Sequence, residues 1–166
     1  MQISDGKDRT ILSVSGGEVR DAVWSAANHF IVFTVSSPGV PGQVFAARFP
    51  PGSGLPDNHW IEITNRANYS RRPVWSGDGR SIFYLSNRDG FWCIWKQQFD
   101  PVRGRSIGKP ISIFHFHDFK QSPAEISGDM FGLSAAGDSL YLNLAEFGGT
   151  IFVGKLVRES PLSHIK

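Results

Sequence analysis

Apolar positions along this chain come in short runs separated by turn residues, not at helical spacing. Two runs of five residues stand out, Phe30-Ile31-Val32-Phe33-Thr34 and Ser81-Ile82-Phe83-Tyr84-Leu85. Each follows a turn, at 26–29 and 77–80. Each turn follows the same triplet, Val23-Trp24-Ser25 and Val74-Trp75-Ser76, with the tryptophans 51 residues apart. A second turn comes next, over 36–42 in the first unit and Asn87-Arg88-Asp89-Gly90 in the second. Third strands are expected at 43–49 and 91–99. After Pro/Gly-rich links come fourth strands at 60–63 and 110–116. Aromatic and β-branched runs bounded by Gly, Pro, Asn and Asp are the mark of a β-meander.

A third unit is weaker. Phe131-Gly132-Leu133-Ser134 stands where Pro73-Val74-Trp75-Ser76 stood, and a turn at 135–138 leads to Ser139-Leu140-Tyr141-Leu142-Asn143. A further strand is expected at 150–156. Segment 122–129 has no sustained 3.6-residue apolar period, so no helix is expected there. A four-stranded meander repeated every fifty or so residues is the pattern of a β-propeller blade. Consecutive apolar residues at 82–85 suit a strand covered on both faces, as radial stacking of blades would require.

Composition strengthens the all-β reading. Aromatics reach 13%, with Phe 13 and Trp 5, while Gly 18 and Pro 10 supply turns. Hydrophobic residues at 40% against charged residues at 19% exclude a disordered chain. A chain of 166 residues can bury a sizeable core. The net charge of +2 marks neither a nucleic-acid partner nor a membrane surface. No apolar stretch approaches the length of a membrane span, and no signal peptide is visible. One cysteine, Cys93, excludes an intramolecular disulfide. It lies in an apolar run and reads as a small buried hydrophobe, with no base in sight to make it a nucleophile.

The run from Arg72-Pro73-Val74-Trp75-Ser76-Gly77-Asp78-Gly79-Arg80 through Ser86-Asn87-Arg88-Asp89-Gly90 to Ile94-Trp95 resembles the WD40-like (PD40) repeat of TolB-type β-propellers. That repeat reads Pro, two residues to Ser, Pro-Asp-Gly, an apolar strand, Ser-x-Arg-x-Gly and an Ile-aromatic pair. Gly77 stands where the proline is usual. The first unit keeps Trp24-Ser25 but has Ala26-Ala27-Asn28-His29 at the turn. The third keeps Ser134 and Gly137-Asp138. The expected fold is therefore a single propeller segment over 1–166. It divides into an outer strand of a preceding or closing blade in 1–18, centred on 10–14, then blades at 19–66, 67–118 and 119–166, the last lacking its outer strand. Three blades are too few to close a ring. Two readings stay open: a piece of a larger propeller, or a half-propeller that dimerises into a six-bladed ring and so covers its open faces.

Several side chains are candidates for chemistry. His115 and His117, two apart on a strand, share a face and could share a metal, with Asp118 or Asp129 as further ligands. The plainer reading puts Phe114 and Phe116 on the packed face and the histidines toward water. Asp78-Gly79 and Asp89-Gly90 read as turn chemistry, since the full Asp-x-Asp-x-Asp-Gly calcium loop is absent. Trp24 and Trp75 read as packing between blades. Arg71, Arg72 and Arg88, with Tyr69, Phe91 and Trp92 beside them, would share one rim, and arginine with aromatics suits recognition of a protein or an anion. Arg88 could instead pair with Asp78 or Asp89. No catalytic residue and no cofactor is expected: neither a Gly-x-Ser-x-Gly elbow nor a phosphate-binding glycine loop occurs. Gly104, Gly108 and Lys109 read as a turn-rich connector.

The resemblance implies a non-enzymatic protein-binding or scaffold module. It would be a periplasmic partner domain, or a sensor domain of a bacterial kinase or regulator in the cytoplasm or periplasm. The expected partner is a protein, including a second copy, with no nucleic acid and no membrane insertion. The enzymatic alternative is the gating propeller of a prolyl-oligopeptidase-like peptidase, or a metal-dependent propeller lyase using His115 and His117.

Overall fold

The computed structural model describes residues 10–49, 59–117 and 132–144. Within them the chain is all-β and antiparallel, without an α-helix. Ten strands follow in order: β1 Glu18–Trp24, β2 Phe30–Ser37, β3 Val40–Arg48, β4 Ile61–Glu62, β5 Ser70–Trp75, β6 Ser81–Ser86, β7 Cys93–Asp100, β8 Arg105–His115, β9 Leu133–Ala136 and β10 Ser139–Leu142. They form a four-stranded sheet β1-β2-β3-β4, a second four-stranded sheet β5-β6-β7-β8, and the hairpin β9-β10.

Alternation along the middle strands builds the layers. In β2, Phe30 and Val32 point one way and Ile31 and Phe33 the other, and in β3, Val44 and Ala46 oppose Phe45 and Ala47. The first set meets Trp75, Ile82, Tyr84 and Phe99 of the second sheet in one core cluster. The opposite face of the first sheet is closed by Leu12, Phe49 and Trp60. The far face of the second sheet, through Leu85 and Ile94, packs with Phe116 and with Leu133, Leu140 and Leu142 of the hairpin region. The second sheet is thus covered on both sides, which explains its unbroken apolar run at 82–85.

The contact between the two sheets repeats the period of the sequence. Asn28 Nδ2 donates to Gly79 O at 3.0 Å, 51 positions away. Asp21 and Arg72, also 51 apart, form an ion pair at 3.0 Å, and Asp21 Oδ2 accepts from Arg72 N at 3.3 Å. Both residues sit at register shifts, in β1 and β5 respectively, and both are left-handed, with φ of 54° and 55°. Matching bulges therefore face each other across the interface. An aromatic triad seals its middle: Phe30 to Phe99 at 5.0 Å and Trp75 to Phe99 at 5.3 Å. Trp75 Nε1 also donates to Val23 O at 3.2 Å.

Four details differ from the sequence reading. The 36–42 turn is only Pro38-Gly39, because Gly39 takes φ 73° and lets β2 and β3 run to its edges. The connector at 104–109 is mostly strand: β8 starts at Arg105 and accommodates Gly108 (φ 65°) beside a register shift. An edge strand tolerates Gly and Pro because one side needs no ladder partner. Segment 10–14 is no strand; Leu12 makes an isolated bridge and packs on the first sheet. Trp24 is 46% exposed rather than packed between sheets, resting edge-on against Phe49 at 4.6 Å. The expected strand at 150–156, segment 122–129, Asp118 and Asp129 lie outside the described residues.

Candidate functional site

Two groups of side chains merit description, and the turn between β6 and β7 borders both. The first is a groove of about 1020 Å³ at one end of the first two sheets. Its walls come from the β2–β3 turn, the start of β5 and the β6–β7 turn; of the arginine and aromatic residues singled out in the sequence, Tyr69, Arg71, Arg72 and Trp92 line it and Arg88 and Phe91 do not. Asn87 ties the β6–β7 turn to the residue before β5: its Oδ1 accepts from Tyr69 N at 2.9 Å, and its N–H donates to Tyr69 O at 3.2 Å. Arg71 lays its guanidinium over the Trp92 ring, 4.5 Å from the centroid. Arg72 is committed to Asp21. Tyr69 is 48% exposed at the mouth.

Arg20, Arg71, Arg72 and Asp21 are the charged residues of the lining; Arg20 pairs with Glu18 and Arg72 with Asp21, so Arg71 carries the excess positive charge. Burial, and then the neighbouring Arg72, push the Arg71 guanidinium below its ordinary value, with Asp21 opposing. Arg71 remains charged nonetheless, since guanidinium does not deprotonate in proteins. A charge that is both partly desolvated and crowded by a like charge is favoured by an incoming anion. Arg88 is not part of this wall. Its guanidinium lies over the Trp95 ring at 5.0 Å, and neither Asp78 nor Asp89 pairs with it.

The second group lies at the other side of the same turn. Register places Cys93, the first residue of β7, directly opposite His115, the last of β8. His117 follows two positions later on the same face. The turn brings Asp89 over them. Asp89 Oδ2 lies 3.2 Å from His115 Nδ1 and 3.4 Å from His117 Nε2. Cys93 Sγ lies 3.5 Å from both Asp89 Oδ2 and His115 Nδ1. The two imidazole nitrogens are 3.2 Å apart. All four ligand-type atoms lie within 4.8 Å of one another.

Cys93 forms the buried floor, while His115 and His117 keep 50% and 47% of their side chains exposed. The turn reading of Asp89 also holds, with Phe91 N donating to its Oδ1 at 3.4 Å and Gly90 at φ 91°. That bond leaves Oδ2 to the cluster. Burial alone would raise the Asp89 carboxyl. Hydrogen bonds from Phe91, Cys93 and His117 outweigh it and hold the group below the usual carboxylate value. Burial, and then the Asp89 charge, push the Cys93 thiol up.

The sequence paired His115 with His117 but missed the other two members. It also found no base near Cys93, whereas His115 Nδ1 is 3.5 Å from its sulfur. Asp89 and Cys93 are four apart in sequence and more than twenty residues from the histidines, so only the β7–β8 register unites them. The one legible signal was that Cys93 lies near the start of the strand that precedes the histidine strand. Phe116 is buried as expected, but Phe114 is 50% exposed. Phe91 covers His117, with ring centroids 4.4 Å apart. Asp78 behaves as a turn residue, accepting from Ser76 Oγ at 2.6 Å and Arg80 N at 3.0 Å. Compared with known proteins, no family model and no curated relative matches this chain.

Proposed function

We propose that this chain is a stretch of TolB-like β-propeller that acts as a binding module, and that its arginine–tryptophan groove takes an acidic segment of a partner protein. The blade reading is supported by contacts at one fixed offset. Asn28 with Gly79 and Asp21 with Arg72 pair residues 51 apart, which is what neighbouring copies of one unit make when stacked side by side. A third layer, the β9–β10 hairpin, packs on the second sheet as that stacking would continue.

The single observation that carries the binding role is Arg71 stacked on Trp92 at 4.5 Å inside the groove. A half-buried guanidinium on an aromatic face is held in one orientation, so little freedom remains to be lost on binding. Carboxylates are the natural complement. Tyr69 at the mouth offers an amphipathic contact surface. The homodimer reading has less support at the first sheet, whose outward face is already closed by Leu12, Phe49 and Trp60.

The test is fluorescence anisotropy with labelled acidic, neutral and basic peptides of matched aromatic content. Acidic peptides bind best, with affinity falling as salt rises. Arg71→Ala and Trp92→Ala each weaken binding by about tenfold, the scale of a hot-spot contact. Equal binding of all three peptide classes, or affinity indifferent to both substitutions, would exclude the groove as the recognition site.

A further inference from the structure

The geometry points to a divalent metal site of the zinc class, formed by Asp89 Oδ2, Cys93 Sγ, His115 Nδ1 and His117 Nε2. The separations of these atoms carry the argument. Zinc binds N and O near 2.0 Å and S near 2.3 Å in a tetrahedron, which sets N/O ligand atoms about 3.3 Å apart and sulfur about 3.6 Å from the others. The three N/O separations here are 3.2, 3.2 and 3.4 Å. Two of the sulfur separations are 3.5 Å. The sixth, between sulfur and His117, is within 4.8 Å.

Five close contacts share at most three protons, one each on Cys93 Sγ, His115 Nδ1 and His117 Nε2, so hydrogen bonding within the cluster does not account for all of them. His115 Nδ1 faces three acceptor-capable atoms, yet a neutral ring nitrogen either donates one proton or accepts one. Four potential ligand atoms gathered within 4.8 Å of one another are better matched by a cation. The donor set selects among cations. One thiolate, two imidazoles and a carboxylate are too soft for calcium or magnesium and suit zinc. On binding, the thiol proton leaves to solvent and the metal takes the thiolate.

The surroundings hold the ligands in place. Phe91 N bonds the other Asp89 oxygen, the Phe91 ring lies on His117, and Trp95 stands 6.5 Å from His115. Such outer contacts orient first ligands. The chain supplies all four positions of a tetrahedron, leaving none for a reacting water. The site is therefore structural, a clasp between the β6–β7 turn and the end of β8, and not the open centre that a metal-dependent lyase needs.

The deciding experiment uses the untagged full chain, stripped of metal and titrated with Zn²⁺ against a chromophoric chelator. Cobalt substitution and thermal unfolding with and without zinc accompany it. The expected result is one zinc per chain and a raised unfolding temperature. The cobalt form shows intense tetrahedral visible bands and a sulfur-to-cobalt charge-transfer band that Cys93→Ser abolishes. His117→Gln, at a half-exposed position that leaves the fold intact by circular dichroism, weakens zinc binding at least about tenfold. Substoichiometric zinc, a six-coordinate cobalt spectrum, or binding unchanged in both Cys93→Ser and His117→Gln would overturn the site.

Discussion

Trp24 and Trp75 occupy matching places in the first two sheets, yet Trp75 is 5% exposed and Trp24 46%. The same residue in the same strand position differs because Trp75 has a sheet in front of it. It reaches Val23 O, Phe30 and Phe99, whereas Trp24 has Phe49. The β2–β3 and β6–β7 turns diverge in the same way. Counting back 51 positions from Asp89 and Cys93 gives Pro38 and Gly42, neither of which has a side-chain donor. β4 has 2 residues and β8 has 11, so only the second sheet extends far enough to bring two histidines to the turn. What the two sheets share is packing, and what only the second has is the Asp89–Cys93–His115–His117 cluster.

The largest test of that contrast is a pair of truncations. Trp75→Ala should cost about 3–5 kcal/mol, the range for a large aromatic removed from a core. Trp24→Ala should cost about 1 kcal/mol, the worth of one aromatic pair with little burial. Urea unfolding midpoints read both, and equal costs would show that the two tryptophans do the same work.

Next in size is the ion pair at the facing bulges. Asp21→Ala removes the acceptor of Arg72 N–H and of Thr34 Oγ1, at 3.3 and 3.1 Å. A loss of about 2 kcal/mol follows from leaving these donors unmatched. A double-mutant cycle with Arg72→Ala should give a clear coupling energy, and coupling near zero would mean the bulges do not join the sheets.

How much of this was legible in the sequence depends on distance along the chain. The 51-residue spacing of Trp24 and Trp75 was visible, and with it the order of strands. The extent of strands was less so. Pro38-Gly39 drew a seven-residue turn out of what is a two-residue one, and Gly108-Lys109 looked like a connector when it belongs to an edge strand with bulges. Arg71 and Trp92 could be placed near each other because both flank turns of the β-meander pattern, but the groove between them was not visible. The Asp89–Cys93–His115–His117 cluster was half legible. Alternation predicts that His115 and His117 share a face, but nothing local fixes which residue of β7 stands opposite His115.

The smallest effect concerns acid. Hydrogen bonds from Ser76 and Arg80 hold the exposed Asp78 carboxyl below its usual value. A group with a depressed folded value adds stability above the usual carboxylate range and loses it as pH falls through the folded value. Asp78→Asn should therefore flatten the acid side of a stability–pH profile slightly, leaving neutral stability little changed. The first sheet has Ala27 at the matching turn position, so Ala27→Asn should leave the profile as it is. A flattened profile in both would break the distinction.

The bulged course of β8 has a bearing on how copies of this chain behave at high concentration. Among the described residues β8 is the outer strand of its sheet, and Ile107, Ile111, Ile113 and Phe114 are exposed along it. A straight edge of that composition would be a template for strands of other molecules, growing toward fibres. Pro110 has no N–H to offer an incoming strand. The register shifts opposite Ile94/Trp95 and Lys96/Gln98 twist the edge away from flatness. The irregularities that hid the first half of this strand in the sequence thus also work against its greasy margin zipping onto a neighbour.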